Sequence, residues 1–244
     1  MITSVDNPRV KDVVRLRKGR ARRVAGLFVA EGPREVARAR AAGLTITATY
    51  FAPALIDWGD GEEVDERVLR KMSYRADPEG VLAVVEIPQR PIPDHSTLLL
   101  VAVGIEKPGN LGAMARTADA AGADALLVAD AECDPWNPNA IRASTGSVFS
   151  LPIVEATTAD VSALPHTKVA ATVGGTTTFT APDYSGPTAF IVGAEDEGLD
   201  DAWQLLADTH VVIPMKPEAA ADSLNASTAA ALLLYEAVRQ RSAT

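Results

Sequence analysis

Residues 211–241 read VVIPMKPEAAADSLNASTAAALLLYEAVRQR, and the order of elements in this stretch decides the fold. A β-branched run at 211–213 predicts a short strand, a loop of small and polar residues follows, and an unbroken helical pattern runs from 226 to 241. Strand, loop and helix in that order set a helix N-terminus beside a strand end, which is where α/β proteins hold ligands. The loop and the first helical turn carry Asp222, Ser223, Asn225, Ser227 and Thr228 among alanines. Polar side chains and free N–H groups therefore gather in a crowded place suited to a small ligand.

Upstream, the same alternation recurs. Residues 97–103 (TLLLVAV), 125–129 (ALLVA), 169–173 (VAATV) and 189–192 (AFIV) are continuous apolar runs. Parallel strands covered on both faces read this way. Helices are predicted at 111–121 and 139–145, which makes 97–244 an α/β domain with a parallel sheet. Ahead of it, IPQRPIPDHS at 87–96 contains Pro88, Pro91 and Pro93, which stiffen the chain and remove donors. The linker is placed at 91–96. Residues 1–90 read as a smaller α/β unit, with a helical pattern around Val10, Val13, Val14 and Leu16, strands at 27–30, 45–51 and 81–87, and helices at 33–42 and 65–72.

Composition narrows the function classes. The 244 residues are 47% hydrophobic and 23% charged, ordinary values for a folded chain with real cores. No apolar run is long enough to cross a bilayer, and no signal peptide is expected. The single cysteine, Cys133, excludes an intrachain disulfide and a cysteine-based metal cluster. The expected location is the cytoplasm. The net charge of −9 argues against nucleic acid as a partner, yet residues 1–40 hold eleven Lys or Arg against four Asp or Glu. The segment containing Arg9, Lys11, Arg15, Arg17, Lys18, Arg20, Arg22 and Arg23 reads either as a phosphate-contacting arm or as a solvated helix face.

Three loops at strand ends are candidates for chemistry. In GIEKPGNLGAMARTADAAG, 104–122, Asn110 is placed to cap a helix, and Arg116 sits among apolar residues, where a guanidinium needs a carboxylate or a phosphate. In IVGAEDEGLDD, 191–201, Gly193 and Gly198 bracket Glu195, Asp196 and Glu197, one of which could hold Arg116. The third loop holds Met215 and the Ser223-Leu224-Asn225 segment. There is no G-x-G-x-x-G and no G-x-x-x-x-G-K-[ST], so common nucleotide-binding readings lose support. His95, His166 and His210 have no metal-site or nucleophile-base spacing and are expected to be structural or exposed.

NLGAMARTADAAG, GAEDEGL and IPM…SLNAS, in this order, resemble the three signature motifs of the SpoU/TrmH family of SPOUT-class methyltransferases. RASTGSVFSLPI at 142–153 and TSVDNPRVKDVVRLR…GLFVAEG near the start resemble the subgroup with an added substrate-binding domain. The resemblance implies a C-terminal α/β domain with a deep trefoil knot and a small N-terminal α/β RNA-binding domain of ribosomal-protein type. It further implies S-adenosylmethionine as cofactor, a homodimer to which the last helix contributes, especially around 232–239, and methyl transfer to a ribose 2′-hydroxyl. Ribosomal RNA is the expected substrate; tRNA, or a non-catalytic RNA-binding assembly factor, is the alternative. Neither DNA, a membrane nor a metal is expected.

Carried over by position, Asn110, Arg116, Glu195, Ser223 and Asn225 are the expected catalytic set. Gly193, Ile213, Leu224, Met215, Val173 and Gly174 are expected to hold the cofactor, and Arg9, Lys11, Arg15, Arg20, Arg22 and Arg23 to contact RNA. One departure stands out. Seven residues, KPEAAAD, separate Met215 from Ser223, where many members carry a glycine soon after Pro-Met and five residues before Ser-Leu-Asn.

Overall fold

The computed structural model describes residues 1–130, 132–216, 218 and 223–242. In chain order its elements are α1 (Pro8–Arg15), α2 (Gly19–Ala25), β1 (Leu27–Glu31), α3 (Pro33–Ala41), β2 (Ile46–Phe51), β3 (Glu62–Glu63), α4 (Glu66–Met72), β4 (Val81–Glu86), β5 (Leu98–Val103) and α5 (Pro108–Ala120). There follow β6 (Ala125–Ala129), α6 (Pro138–Ser144), a 3-10 turn at Ser147–Phe149, β7 (Ile153–Ala156), α7 (Thr158–Ser162), β8 (Thr167–Ala171), β9 (Thr177–Thr178), β10 (Thr188–Val192), α8 (Asp201–Leu206), β11 (Thr209–Val212) and α9 (Ala226–Ser242). They form two units, Met1–Gln89 with Trp136–Ser150, and Arg90–Pro135 with Leu151–Thr244. The segment Trp136–Ser150 lies inside the stretch that the sequence assigns to the C-terminal domain, yet it packs with the N-terminal unit.

In the N-terminal unit the sheet order is β1-β4-β2-β3. β4 pairs antiparallel with both β1 and β2. Its core joins Val10, Val13 and Leu16 to Tyr50, Val64, Val68, Leu69, Met72, Leu82 and Val84. Helix α1 starts where the sequence places it, because the Asn7 side chain accepts the Arg9 N–H and Pro8 occupies the first turn. The aromatic ring of Phe28 on β1 stacks on Trp136 at 4.9 Å and on Phe149 at 5.7 Å. This contact ties the second segment into the unit.

In the other unit every ladder of the seven-stranded sheet, β7-β6-β5-β10-β8-β11-β9, is parallel. Leu99, Val101 and Val103 of β5 pack with Leu127, Ile191, Val161 and Trp203 on one face. The intervening Leu98, Leu100 and Ala102 are buried as well, so both faces are covered and the unbroken apolar runs are explained. The sequence misses α2, the short β3 and β9, β7, α7 and α8. It also places the strand at 169–173 two residues late: β8 ends at Ala171, and Val173 stands exposed beyond it. Among the described residues no helix is long and apolar enough to cross a membrane.

Candidate functional site

At the C-terminal edge of β8, β10 and β11, three loops close around a cavity of about 910 Å³, at the upper end of small-ligand sites, roughly 300–1,000 Å³. Val173, Gly174, Gly193, Ile213, Met215 and Leu224 all line it, so the whole expected cofactor set is brought together. Glu195 and Ser223 line the same cavity. A Cβ at Gly193 would fall 2.3 Å from the Gly198 carbonyl oxygen, so only glycine lets these two loop ends approach. Gly198 itself has φ +69°, a left-handed value that glycine adopts without strain. Of the KPEAAAD loop, Pro217 and residues 219–222, including Asp222, lie outside the described residues.

Beside the cavity, Glu195 is the hub of a polar network. Its Oε1 accepts from Asn110 Nδ2 at 2.9 Å and from Asn225 Nδ2, and its Oε2 accepts from Lys107 Nζ at 2.6 Å. Asn225 Nδ2 also donates to Asn110 Oδ1 at 3.1 Å. The orientation of Asn225 follows from the start of α9, since its Oδ1 accepts the Ser227 N–H at 3.0 Å and the Ser227 hydroxyl at 2.6 Å. With its oxygen engaged there, the amide nitrogen is left for Glu195. Hydrogen bonding from Lys107 foremost, with Asn110 and the Ala226 N–H, holds the Glu195 carboxyl below the usual carboxylate value and outweighs the opposing effect of burial.

Two expectations are corrected here. Asn110 does not cap α5: Lys107 occupies the cap position without a side-chain bond, and Asn110 lies in the first turn with its amide on Glu195. Arg116 is exposed rather than buried among apolar neighbours, and among the described residues no acid pairs with it. Residues 109, 116, 119 and 120 form the outward side of α5 while Leu111, Met114, Ala115 and Ala118 face inward. Apolar neighbours in sequence therefore say little about which way a helical arginine points.

The sequence also missed Lys107, and it missed Gln204 and His210, which line the cavity. His210 is thus neither distant nor merely exposed; its Nε2 lies 3.0 Å from the Gln204 carbonyl oxygen. Its place one strand position before the buried Val211 was the available signal.

In the basic segment the structure sorts the cations. Arg9 pairs with Glu62, Lys11 with Asp6 and Arg15 with Asp12. Arg17 donates to the carbonyls of Lys71 and Ser73. Arg22 is only 2% exposed and donates to the Leu16 carbonyl at 2.6 Å, so it braces the turn between α1 and α2 and is removed from the RNA-contacting set. Lys18, Arg20 and Arg23 are exposed, and among the described residues none of them has an acidic partner.

Comparison with known proteins places the chain in a family. Residues 97–235 match the model of the SpoU rRNA Methylase family, and residues 7–83 match the MRM3-like substrate binding domain. A tRNA/rRNA methyltransferase of Synechocystis, itself uncharacterized, is 34% identical across 98% of this chain and 94% of its own. The 23S rRNA (guanosine(2553)-2′-O)-methyltransferase of Bacillus subtilis is 30% identical across 96% of this chain and 97% of its own. The crystal structure of an AdoMet-bound rRNA methyltransferase from Sinorhizobium meliloti superposes with a TM-score of 0.88 at 31% identity, covering 98% of this chain and 97% of that one. With both domain models matched and relatives aligned over nearly its full length, the chain belongs to the SpoU/TrmH family of RNA methyltransferases, in the group that carries an N-terminal substrate-binding domain.

Proposed function

We propose that this protein transfers a methyl group from S-adenosylmethionine to a ribose 2′-hydroxyl of ribosomal RNA. The carrying observation is the cavity whose lining joins Gly193, Ile213 and Leu224 to Glu195, directly beside the network of Asn110 and Asn225. Its walls join glycines, alanines and valines to Ile213, Met215 and Leu224 and to the polar Gln204, His210 and Ser223, and the space where a Gly193 side chain would stand is filled by the opposite loop. The residues present therefore suit a cofactor that carries both apolar and polar portions. Bound there, the cofactor supplies an electrophilic sulfonium methyl. We read the three loops as the closing turns of a deep trefoil knot, a rare exception to unthreaded chain topology, with Met215 and Ser223 at its last passage.

The protein's own tasks are to position the hydroxyl and to let its proton leave. Glu195 is a poor base, because three donors hold it in the ionised form. It acts instead to fix Asn110 and Asn225 at the cavity mouth. Arg116 is equally unsuited to take a proton, since a guanidinium stays charged. Exposed and without an acid, it is suited to grip an RNA phosphate and orient the 2′-hydroxyl, with that phosphate or a water as proton acceptor.

Helix α9 presents Thr228, Leu232, Tyr235 and Arg239 outward, a stripe at helical spacing with two large apolar side chains. This supports a homodimer built on α9. A cytoplasmic location fits an enzyme acting on ribosomal RNA.

Incubating the protein with methyl-labelled cofactor and total RNA, followed by mapping of 2′-O-methyl sites, tests the reading. Label in one ribose of 23S rRNA is expected. Label in tRNA alone would move the substrate to the second possibility named by the Synechocystis relative, and RNA binding with no label in any fraction would leave a non-catalytic factor.

A further inference from the structure

The N-terminal unit carries a polar concavity of its own, lined by none of the expected catalytic or cofactor residues. Tyr74, Arg75 and Arg142 line a small cavity. Arg75 and Arg142 continue, with Arg34, into a neighbouring one of about 550 Å³, well within small-ligand size. Its frame is fixed by two buried carboxylates. Glu35 accepts from Nε and Nη2 of Arg34 at 3.2 and 2.8 Å, and Glu31 accepts the backbone N–H of Tyr74 at 2.9 Å and of Arg75 at 3.3 Å. Buried acids are costly unless so paired, so this pairing pins both the Arg34 guanidinium and the loop that carries Tyr74.

Arg75 is matched by Glu79. Arg142 differs, because among the described residues its guanidinium donates only to the neutral amide oxygen of Asn139, at 3.1 Å. Asn139 Nδ2 in turn donates to the Tyr74 hydroxyl at 3.0 Å, and Tyr74 is 44% exposed. An open aromatic ring is thus held at its hydroxyl by the same amide that orients an arginine lacking an acid.

Charge indicates what such a groove takes. Arg34, Arg75 and Arg142 are equalled in number by Glu35, Asp77 and Glu79 along the same cavity, so phosphate binding there would release few counterions. An exposed aromatic ring beside guanidinium donors instead suits an unpaired base, which stacks on the ring and accepts hydrogen bonds at its edge. We propose that this groove holds one unpaired nucleotide of the RNA substrate, its base stacked on Tyr74 and hydrogen-bonded by Arg142. The inference rests on the RNA-methylating reading. The exposed cations around α2 then supply salt-dependent attraction, and the groove supplies preference for unpaired RNA.

The test uses the full chain and a single-stranded RNA of about twelve nucleotides carrying 5-iodouridine, which cross-links to stacked aromatic rings under ultraviolet light. A cross-link at Tyr74 is expected, absent in Tyr74→Ala and kept in Tyr74→Phe. Tyr74→Ala should weaken binding of that RNA about tenfold without changing its salt dependence. Arg142→Gln should weaken it several-fold with the fold unperturbed, and the same sequence as a duplex should give no cross-link. Cross-links only elsewhere, with Tyr74→Ala and Arg142→Gln binding as the parent does, would overturn the proposal. Methylation of ribosomal RNA by the parent protein is measured alongside. Methylation without any Tyr74 effect sinks the groove alone, whereas Tyr74-dependent binding without methylation sinks the enzymatic reading and leaves the groove standing.

Discussion

The two units meet RNA chemistry by opposite means. The cavity in the C-terminal unit forms where loops at the ends of buried parallel strands come together, with Gly193 packed against the Gly198 backbone. The N-terminal unit offers side chains around a mostly antiparallel sheet: cations on α2, and Tyr74, Asn139 and Arg142 in a groove framed by buried acids. A loop-built site is defined by where loops approach and is damaged by adding atoms. A side-chain site is defined by which groups protrude and is damaged by removing them. This difference orders the expected effects of substitution.

The largest effect is expected where the two chemistries converge. Arg116→Ala deletes a protruding group from the unit whose cavity depends on close approach of loops. Methyl transfer should fall by at least about a hundredfold in kcat/KM, as for loss of a group that grips the reacting assembly, while cofactor affinity stays within about twofold. Single-turnover kinetics with cofactor binding by calorimetry separates the two quantities. Full turnover in Arg116→Ala would end its assignment.

Gly193→Ala is the converse experiment. The added methyl meets the Gly198 carbonyl at 2.3 Å, a contact with backbone that cannot swing aside. Overpacking of this kind costs about 1–3 kcal/mol, so cofactor affinity should drop by about 5- to 150-fold. RNA affinity should be unchanged. Equal cofactor affinity in the variant would show that the loops have room to part, and that the close-approach description is wrong.

Within the basic segment the comparison can be made between neighbours. Arg20→Ala with Arg23→Ala removes two exposed cations and should flatten the dependence of log K on log salt by about 1.4 for single-stranded RNA, with thermal stability nearly constant. Arg22→Ala should do the reverse, because it deletes the buried partner of the Leu16 carbonyl. A stability loss of about 2 kcal/mol is expected there with the salt slope intact. Denaturant melts and salt titrations of the same three proteins decide it.

These contrasts also explain what the sequence revealed. The parallel strands were legible because burial on both faces forces unbroken apolar runs, as in β5 and β6. The loops at the strand ends were legible because their glycines and polar residues interrupt apolar runs, as Gly193 and Gly198 do around 195–197, while their expected link to a cofactor came from motif resemblance. Cation availability was not legible: Arg20, Arg22 and Arg23 look alike in sequence, and only the α1–α2 turn decides which is buried. The same holds for Arg116, whose apolar neighbours line the opposite side of α5. Packing of Trp136–Ser150 with the N-terminal unit was hidden because the aromatic partners Phe28 and Trp136 are more than a hundred residues apart.

The smallest expected effect concerns Glu195, where backbone and side-chain logic meet. Its carboxyl titrates below its ordinary value of 4.5, chiefly through Lys107. A group whose pKa is lowered by folding binds fewer protons in the native than in the unfolded state. Its contribution is therefore fully present above the unfolded value and is lost as pH falls through the lowered folded value. At neutral pH the network should be intact and insensitive to pH, and stability should decline only on the acid side of the ordinary carboxylate range. Glu195→Gln removes this titration, since the amide can still accept from one asparagine but cannot ionise. The variant's stability should change less than the parent's between neutral pH and the acid limb, and its Lys107 should titrate nearer its ordinary value, because Glu195 is the main cause of its raised pKa. Parallel acid declines in parent and variant would show that the Glu195 network is not what senses pH here. Lys107→Met then isolates the lysine. If Asn110 and Asn225 suffice to hold the carboxylate, cofactor affinity will not move, and the cavity mouth is held by amides alone.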